Sequence, residues 1–282
     1  MKNARSKSPN DEKTRLRLLV KWADDCRAQG RYPQAEAFYR KALTAAETIF
    51  GPDHVEISAI LNNLAVLYKY TGNFDEAEWL YRRALAITEA KLGADHPNVA
   101  TIYHNLGGLE HAHGRFAAGE PFARRSVEIR ERALGADHVD VAADVAALAG
   151  ILDGQKKFDE SEPLYTRALA IFERAYGPEH YEIAVNLNNL AALKSAKGES
   201  EEAERLYRRA LAMKEKLLGA DHPDVAMTLN NLAVLLKKQA RYEEAGTMYE
   251  RALAIFERAL GSEHPKVIAC RENYARLLKG KR

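Results

Sequence analysis

The chain has 282 residues, of which 46% are hydrophobic and 29% are charged, and its formal net charge is +2 at pH 7. This balance lacks the strong basicity of a nucleic-acid-binding protein, so DNA and RNA are not expected partners. There is no apolar run of about 18 residues and no apolar segment after the basic N-terminal residues, so neither a membrane span nor export is predicted and a cytoplasmic location is favoured.

A four-residue motif, glycine followed by any residue, an acidic residue and histidine, recurs every 42 residues. Its six copies begin at Gly51, Gly93, Gly135, Gly177, Gly219 and Gly261. Because no insertion changes the spacing, one supersecondary unit is repeated along the chain. The pattern predicts a disordered polar tail at residues 1–11 and a single repeat array at 12–282.

Each unit is predicted to be a helical hairpin. Apolar residues from Ile57 to Tyr68 follow helical spacing, and a second helical series begins at Ala77, after Gly72. Glycine stops the first helix in four units, whereas Lys156 and Ala240 take its place in two others, where the turns should be less stable. The predicted hairpins lie near residues 15–50, 57–92, 99–134, 141–176, 183–218 and 225–260.

A single capping helix is predicted after the hairpins, from Val267 to Lys279. Its packed side is expected to carry Ile268, Tyr274, Leu277 and Leu278. The predicted fold class is therefore all-α, a right-handed α-solenoid of six tandem helical hairpins and a C-terminal capping helix.

The repeated acid and histidine residues first suggest a metal site. However, consecutive copies stand about 10 Å apart by helix-packing distance, whereas metal ligands lie within about 2.5 Å of the ion. We therefore predict no metal and no cofactor, and expect the acid or histidine to cap the next helix. Cys26 and Cys270 lack metal or redox spacing, and no catalytic template is present, so no enzyme activity is predicted.

The hairpin sequence resembles the tetratricopeptide repeat. The matching residues, in order, are Leu64, Ala65, Tyr68, Gly72, Phe74, Ala77, Tyr81 and Ala84. The 42-residue length, with Leu-Asn-Asn-Leu-Ala and Leu-Gly-x-Asp-His-Pro segments, is similar to the repeats of kinesin light chains and their prokaryotic relatives. This resemblance implies a superhelix of hairpins that binds peptides or assembles with partners, with peptides seated on asparagines of the concave face.

The exposed face of each first helix is predicted to carry a strip of amides. Asparagine is a mediocre helix former, so its recurrence at surface positions suggests a function. A carboxamide both donates and accepts, so a ladder of carboxamides can bind the backbone of an extended peptide. The alternative is that the amides hydrogen-bond a neighbouring helix and only orient the repeats. The residues predicted to bind a peptide are Asn62, Asn63, His104, Asn105, Asn188, Asn189, Asn230, Asn231, Lys237, Asn273 and Arg276.

Small residues interrupt this strip in the third and fourth units. We hypothesise a side-chain pocket there, because glycine inside a helix costs about 0.5–1 kcal/mol relative to alanine. Closer helix packing is the alternative explanation. The proposed pocket residues are Gly108, His111, Ala146, Ala147 and Gly150, with His104 as a further wall.

Toward its C-terminal end the strip becomes basic, through Lys237, Lys238, Arg276 and Lys279. An acidic peptide should prefer this end. The leading prediction is a non-enzymatic adaptor that binds an extended acidic peptide on its concave face, without nucleic acid or membrane. The alternatives are a self-assembling scaffold and a sensor or regulatory subunit of a signalling system.

Overall fold

The computed structural model describes residues 9–280 of the chain. In this range the regular secondary structure is helical, which confirms the all-α prediction. The thirteen helices of this range are α1 (Pro9–Ala28), α2 (Tyr32–Phe50), α3 (Val55–Thr71), α4 (Phe74–Leu92), α5 (Pro97–Ala112), α6 (Phe116–Leu134), α7 (Val139–Gly154), α8 (Phe158–Tyr176), α9 (Tyr181–Lys197), α10 (Ser200–Leu218), α11 (Pro223–Lys238), α12 (Tyr242–Leu260) and α13 (Pro265–Gly280).

The chain forms two compact units, Met1–Ala136 and Asp137–Arg282. Unit 1 contains three hairpins, α1–α2, α3–α4 and α5–α6, and unit 2 contains the hairpins α7–α8, α9–α10 and α11–α12, followed by α13. Neighbouring first helices also contact each other, α3 with α5 in unit 1 and α7, α9, α11 and α13 in succession in unit 2. The first helices therefore form a layer within each unit. One continuous array over 12–282 stays a prediction.

The predicted N-terminal tail lies mostly outside the described residues. Its last three residues, 9–11, belong to α1, so this helix begins before the predicted start near residue 15. Asp11 and Glu12 lie in the first turn, where a negative charge interacts favourably with the helix dipole. This stabilisation explains the earlier start.

The core is built from the same register positions in successive hairpins. Tyr39, Tyr81, Tyr165 and Tyr249 are fully buried large side chains on second helices, at multiples of 42 residues from one another. Such a side chain contributes about 1.5–3 kcal/mol when it leaves water. The predicted apolar series from Ile57 to Tyr68 on α3 is buried as well. The periodicity therefore identified the packed faces of α3 and α4.

Two turns within hairpins contain a residue other than glycine in the left-handed region. Lys156 has φ 62° and Ala240 has φ 61°, whereas Gly72 and Gly198 hold the corresponding positions with φ 81° and 85°. A side chain in this conformation costs about 1 kcal/mol. The prediction that these two turns carry strain relative to the glycine turns is supported by this geometry.

Each motif histidine caps the helix that follows it. In all six copies the Nδ1 atom accepts a hydrogen bond from the backbone N–H two residues later, at 3.1–3.3 Å. This bond satisfies one of the N–H groups that have no partner inside the helix. The predicted capping role is therefore confirmed, with histidine as the acceptor.

Replacing His222 with alanine should destabilise unit 2 by about 1 kcal/mol, because α11 loses its side-chain cap. Replacing it with asparagine, a strong N-capping residue, should restore most of that stability. Urea-induced unfolding measures both variants. Equal destabilisation by alanine and asparagine would show that the His222 ring matters for packing rather than for capping.

The motif acid has a different role from the histidine. Asp95 pairs with Arg132 at 3.7 Å, and Asp137 pairs with Arg174 at 3.0 Å. Glu179 pairs with Lys216, and Asp221 with Arg258 at 3.0 Å. The sequence contained a signal for these pairs, because a basic residue follows the acid by 37 positions in four units.

Ion pairs also stabilise the outer faces of the second helices. The pairs at i, i+4 are Glu36–Arg40, Glu78–Arg82, Glu120–Arg124 and Glu204–Arg208, with N–O distances of 2.7–2.8 Å. Such exposed pairs contribute about 0.2–0.5 kcal/mol each.

The predicted packed side of α13 was wrong for two residues. Ile268 is 41% exposed and Leu278 is 49% exposed, whereas the buried residues of α13 are Val267, Cys270 and Leu277. In α3 the corresponding positions are buried, because α3 is followed by its hairpin partner α4. No helix of the described residues follows α13 to cover that face.

Candidate functional site

The first-helix strip is the row of side chains on α3 formed by Ala59, Asn62, Asn63, Val66, Lys69 and Tyr70, together with their counterparts on the other first helices. Ala59 and Tyr70 are exposed, and the four residues between them are half-buried. Helical spacing places these residues on one face of α3, opposite the core series.

In unit 2, five asparagines form one hydrogen-bonded chain across α9, α11 and α13. Asn273 donates to Asn230, Asn230 to Asn231, Asn231 to Asn188, and Asn188 to Asn189, at N–O distances of 3.4–3.5 Å. Two of these four bonds connect neighbouring hairpins. The predicted residues of this unit are therefore brought together into a continuous amide ladder.

Unit 1 contains a shorter version of the same arrangement. Asn105 on α5 donates to Asn62 on α3 at 2.8 Å, and Asn62 donates to Asn63 at 3.5 Å. His104 is half-buried beside Asn105 on the same helix. The bond between Asn105 and Asn62 connects the neighbouring hairpins α3–α4 and α5–α6.

The amide bonds leave hydrogen-bonding capacity unused. A carboxamide has two N–H donors and an oxygen with two lone pairs. Asn230 and Asn231 each use one donor and one lone pair in the ladder, and Asn189 uses one lone pair. Asn188 is only 6% exposed, whereas the other four asparagines of the ladder are half-buried. Four of the five carboxamides therefore have both free capacity and access to solvent.

The residues of the hypothesised side-chain pocket fall in both compact units. Gly108 and His111 belong to unit 1, where a Cβ added to Gly108 would lie 3.6 Å from the Nζ atom of Lys69. Ala146, Ala147 and Gly150 are half-buried on α7 of unit 2. A Cβ at position 108 would therefore make only an ordinary van der Waals contact with Lys69, and a pocket formed by both sets stays a prediction.

The basic residues predicted at the end of the strip lie near the C-terminal ends of α11 and α13. Lys237 is half-buried and forms no ion pair among the described residues. Lys238 donates to Ser195 at 3.5 Å, and Arg276 forms an exposed pair with Glu272 at 3.2 Å. These contacts are weak, so positive charge is present beside the amide ladder of unit 2.

Lys69 is a residue for which the sequence pattern predicted no role. Its side chain is half-buried in unit 1, and burial lowers the pKa of its ammonium group. The sequence does contain a pattern that singles out Lys69, because basic residues also occupy the same position of the preceding and following repeats, as Arg27 and His111.

None of the helices in the described range has the length and hydropathy needed to cross a membrane. Within residues 9–280, no group of three or more His, Cys, Asp or Glu side chains has a metal-binding arrangement.

Comparison with known proteins identifies the repeat. The sequence model of the tetratricopeptide repeat matches residues 14–90, 56–132, 141–216, 182–245 and 224–281. No curated protein sequence matches the chain.

Several solved structures share this fold. BtubC (BKLC) from P. vanneervenii is 24% identical, with a TM-score of 0.62 over 92% of this chain and 95% of that one. A kinesin light chain protein of Podosopora anserina with nearly identical TPR-like repeats is 24% identical, with a TM-score of 0.59 over 73% and 98% of the two chains. The apo form of RapI is 12% identical, with a TM-score of 0.65 over 94% and 97%.

At these identities the structural similarity establishes the fold. Tetratricopeptide repeat proteins generally bind protein or peptide partners, and their repeats are typically non-catalytic scaffolds. The family model matches most of the chain, and the predicted repeat resemblance is confirmed. The chain belongs to the tetratricopeptide repeat family.

Proposed function

We propose that the protein is a non-enzymatic adaptor whose unit 2 binds an extended, acidic peptide along the amide ladder. The ligand residues in this proposal are Asn189, Asn230, Asn231 and Asn273. The nearly buried Asn188 positions two of them, because it donates a hydrogen bond to Asn189 and accepts one from Asn231. Lys237 and Arg276 lie at the basic end. The expected location is the cytoplasm.

The observation that carries the proposal is the weakness of the ladder bonds. Hydrogen bonds of 3.4–3.5 Å are long for N–H to oxygen contacts, whose usual distance is about 2.9–3.0 Å. A peptide backbone offers one N–H and one C=O for each residue, and both can pair with the free groups of the ladder. Peptide binding would therefore add shorter bonds without first breaking strong ones.

The preference for an acidic peptide follows from the charge beside the ladder. Lys237 lacks an ion-pair partner in the described range, and the Arg276–Glu272 pair is solvent-exposed. Exposed basic side chains attract an acidic ligand. Salt screens this attraction and limits its range to about 8 Å at physiological ionic strength. Affinity should therefore fall as salt rises.

The test starts from a library of displayed peptides, from which binders are selected on the wild-type protein. The affinity of a selected peptide is then measured by fluorescence anisotropy for the triple variant Asn189→Ala, Asn231→Ala and Asn273→Ala. We expect binding at least about tenfold weaker, since each lost hydrogen bond contributes about 0.5–1.5 kcal/mol.

The matched control is the triple variant Asn62→Ala, Asn63→Ala and Asn105→Ala in unit 1, which should retain affinity for a peptide bound by unit 2. Circular dichroism verifies that both variants remain helical. Unchanged affinity in a folded unit 2 variant would leave the amides with only an orienting role.

Self-assembly is the second candidate function. Its supporting observation is the exposed apolar surface of Ile268 and Leu278 on α13. A sedimentation coefficient that increases with protein concentration would favour assembly over peptide binding.

A further inference from the structure

A row of three basic side chains marks the C-terminal turns of the first helices in unit 1. Arg27, Lys69 and His111 occupy the same register position on α1, α3 and α5, 42 residues apart. Cations are common at helix C-termini, because the helix dipole is negative there. Such cations usually remain in water, whereas Arg27 and Lys69 are half-buried and only His111 is exposed.

Lys69 is the centre of the row. Its side chain is half-buried, its Nζ atom lies 5.7 Å from the centroid of the Tyr70 ring, and the same atom lies 3.6 Å from where a Cβ on Gly108 of α5 would stand. Burial lowers the pKa of this ammonium group. Within the described range Lys69 forms no ion pair. A partly desolvated cation without a counter-ion is costly, so its surroundings favour an anion.

His111 stands beside Lys69 in the row. Burial lowers the pKa of its imidazole, and the positive charge of Lys69 lowers it further. The ring packs edge-on against Phe116 at 5.2 Å between centroids. His111 is therefore close enough to Lys69 for the ammonium charge to act on its imidazole.

Two buried hydrogen-bond donors, one on a residue of the row and one on a neighbouring residue, lack an acceptor. The Nε atom of Arg27 and the hydroxyl of Tyr81 are buried without a hydrogen-bond partner. Tyr81 lies near Arg27 and Tyr70, since both influence its pKa, which burial raises. The carboxylate paired with Arg27, Asp24, lies at 3.5 Å and also accepts a hydrogen bond from Tyr39. This end of the unit 1 strip therefore has more donors than acceptors.

We propose that Lys69 and His111, with Arg27 beside them, form a binding site for an oxyanion, either a carboxylate or a phosphate carried by a bound segment. The oxyanion supplies the missing acceptors and neutralises Lys69. The position of the Lys69 Nζ atom beside Gly108 places this site between α3 and α5. This site extends the proposed peptide-binding function to unit 1, but small anions test it independently of any peptide.

The experiment is an NMR titration of the full chain, labelled with ¹³C-histidine, with inorganic phosphate and separately with acetate at constant ionic strength. The His111 ring signal is assigned with the variant His111→Gln. We expect it to shift and saturate with at least one anion. Saturation by phosphate alone assigns a phosphorylated ligand, and saturation by both assigns a carboxylate or phosphorylated one.

Variants locate the site. Lys69→Gln should weaken anion binding about tenfold, and Lys69→Arg should preserve it. Lys237→Gln, at the same register position in unit 2, is the matched control and should leave the His111 titration unchanged. If neither anion gives a saturable shift of His111, or if Lys69→Gln binds as the wild type does, the oxyanion site is overturned. Either result leaves the amide-ladder test in unit 2 unaffected.

Discussion

Replacing Arg115 with alanine is expected to destabilise unit 1 by about 3 kcal/mol. The carboxylate of Glu110 is only 3% exposed, and Arg115 holds it with two hydrogen bonds of 2.7 and 2.8 Å. Without the guanidinium, a buried negative charge loses its partner, and the cost of desolvating it is no longer offset. Urea-induced unfolding measures the loss.

A second substitution tests this explanation. The register position of Glu110 is occupied by Leu152, Lys194, Leu236 and Leu278 in unit 2, and Leu152 and Leu236 are buried. In the double variant Glu110→Leu and Arg115→Ala, no charge remains to be buried, so most of the lost stability should return. A double variant as unstable as Arg115→Ala alone would instead assign the effect to the packing of the Arg115 side chain.

Replacing Lys214 with methionine is expected to stabilise unit 2 by about 2 kcal/mol at neutral pH. Lys214 is 3% exposed, and its ammonium donates to Thr228 at 3.1 Å and to the Asp224 carbonyl at 3.4 Å. The same register position holds Phe172 and Phe256 in the other hairpins of unit 2, both buried. An apolar side chain therefore suits this position.

The stabilisation should depend on pH in a defined direction. Burial lowers the pKa of Lys214 below its ordinary value of 10.5, the charge of Lys266 lowers it further, and Asp224 opposes the shift. Below this lowered pKa the folded protein carries the full cost of the buried charge. As pH rises from it toward 10.5, the wild type loses that charge and becomes more stable relative to Lys214→Met.

Urea-induced unfolding at neutral pH and at pH of about 9.5 therefore separates charge burial from packing. The advantage of Lys214→Met should be larger at neutral pH. The control Lys238→Met, on the exposed end of α11, should change stability by less than about 0.5 kcal/mol at either pH. An advantage that stays constant with pH would mean that the buried charge is not its source.

The hairpins and their caps follow from local sequence. Apolar spacing from Ile57 to Tyr68 identified the packed face of α3, and the histidine after each motif glycine identified the start of the next helix. These features depend on residues within one or two helical turns of each other, so their spacing in the sequence specifies them. The same reasoning failed for Ile268 and Leu278, because their burial requires a further helix beside α13.

The candidate site was predicted less completely. The recurrence of asparagine indicated a strip, and the structure brings Asn189, Asn231 and Asn273 into one ladder. It did not indicate that Asn188 is nearly buried, or that the ladder bonds are long. Burial and bond length depend on how closely two hairpins approach, which repeat spacing leaves open.

The sequence by itself determined the repeat length, the helix boundaries to within a few residues and the family, because helical periodicity and capping are local properties. Only the tertiary structure decided which donors find acceptors. Asn105 meets Asn62 from 43 positions away, Lys214 becomes buried, and Lys69 comes to lie against α5 without a counter-ion. These outcomes depend on distances between side chains of different helices, and packing sets those distances.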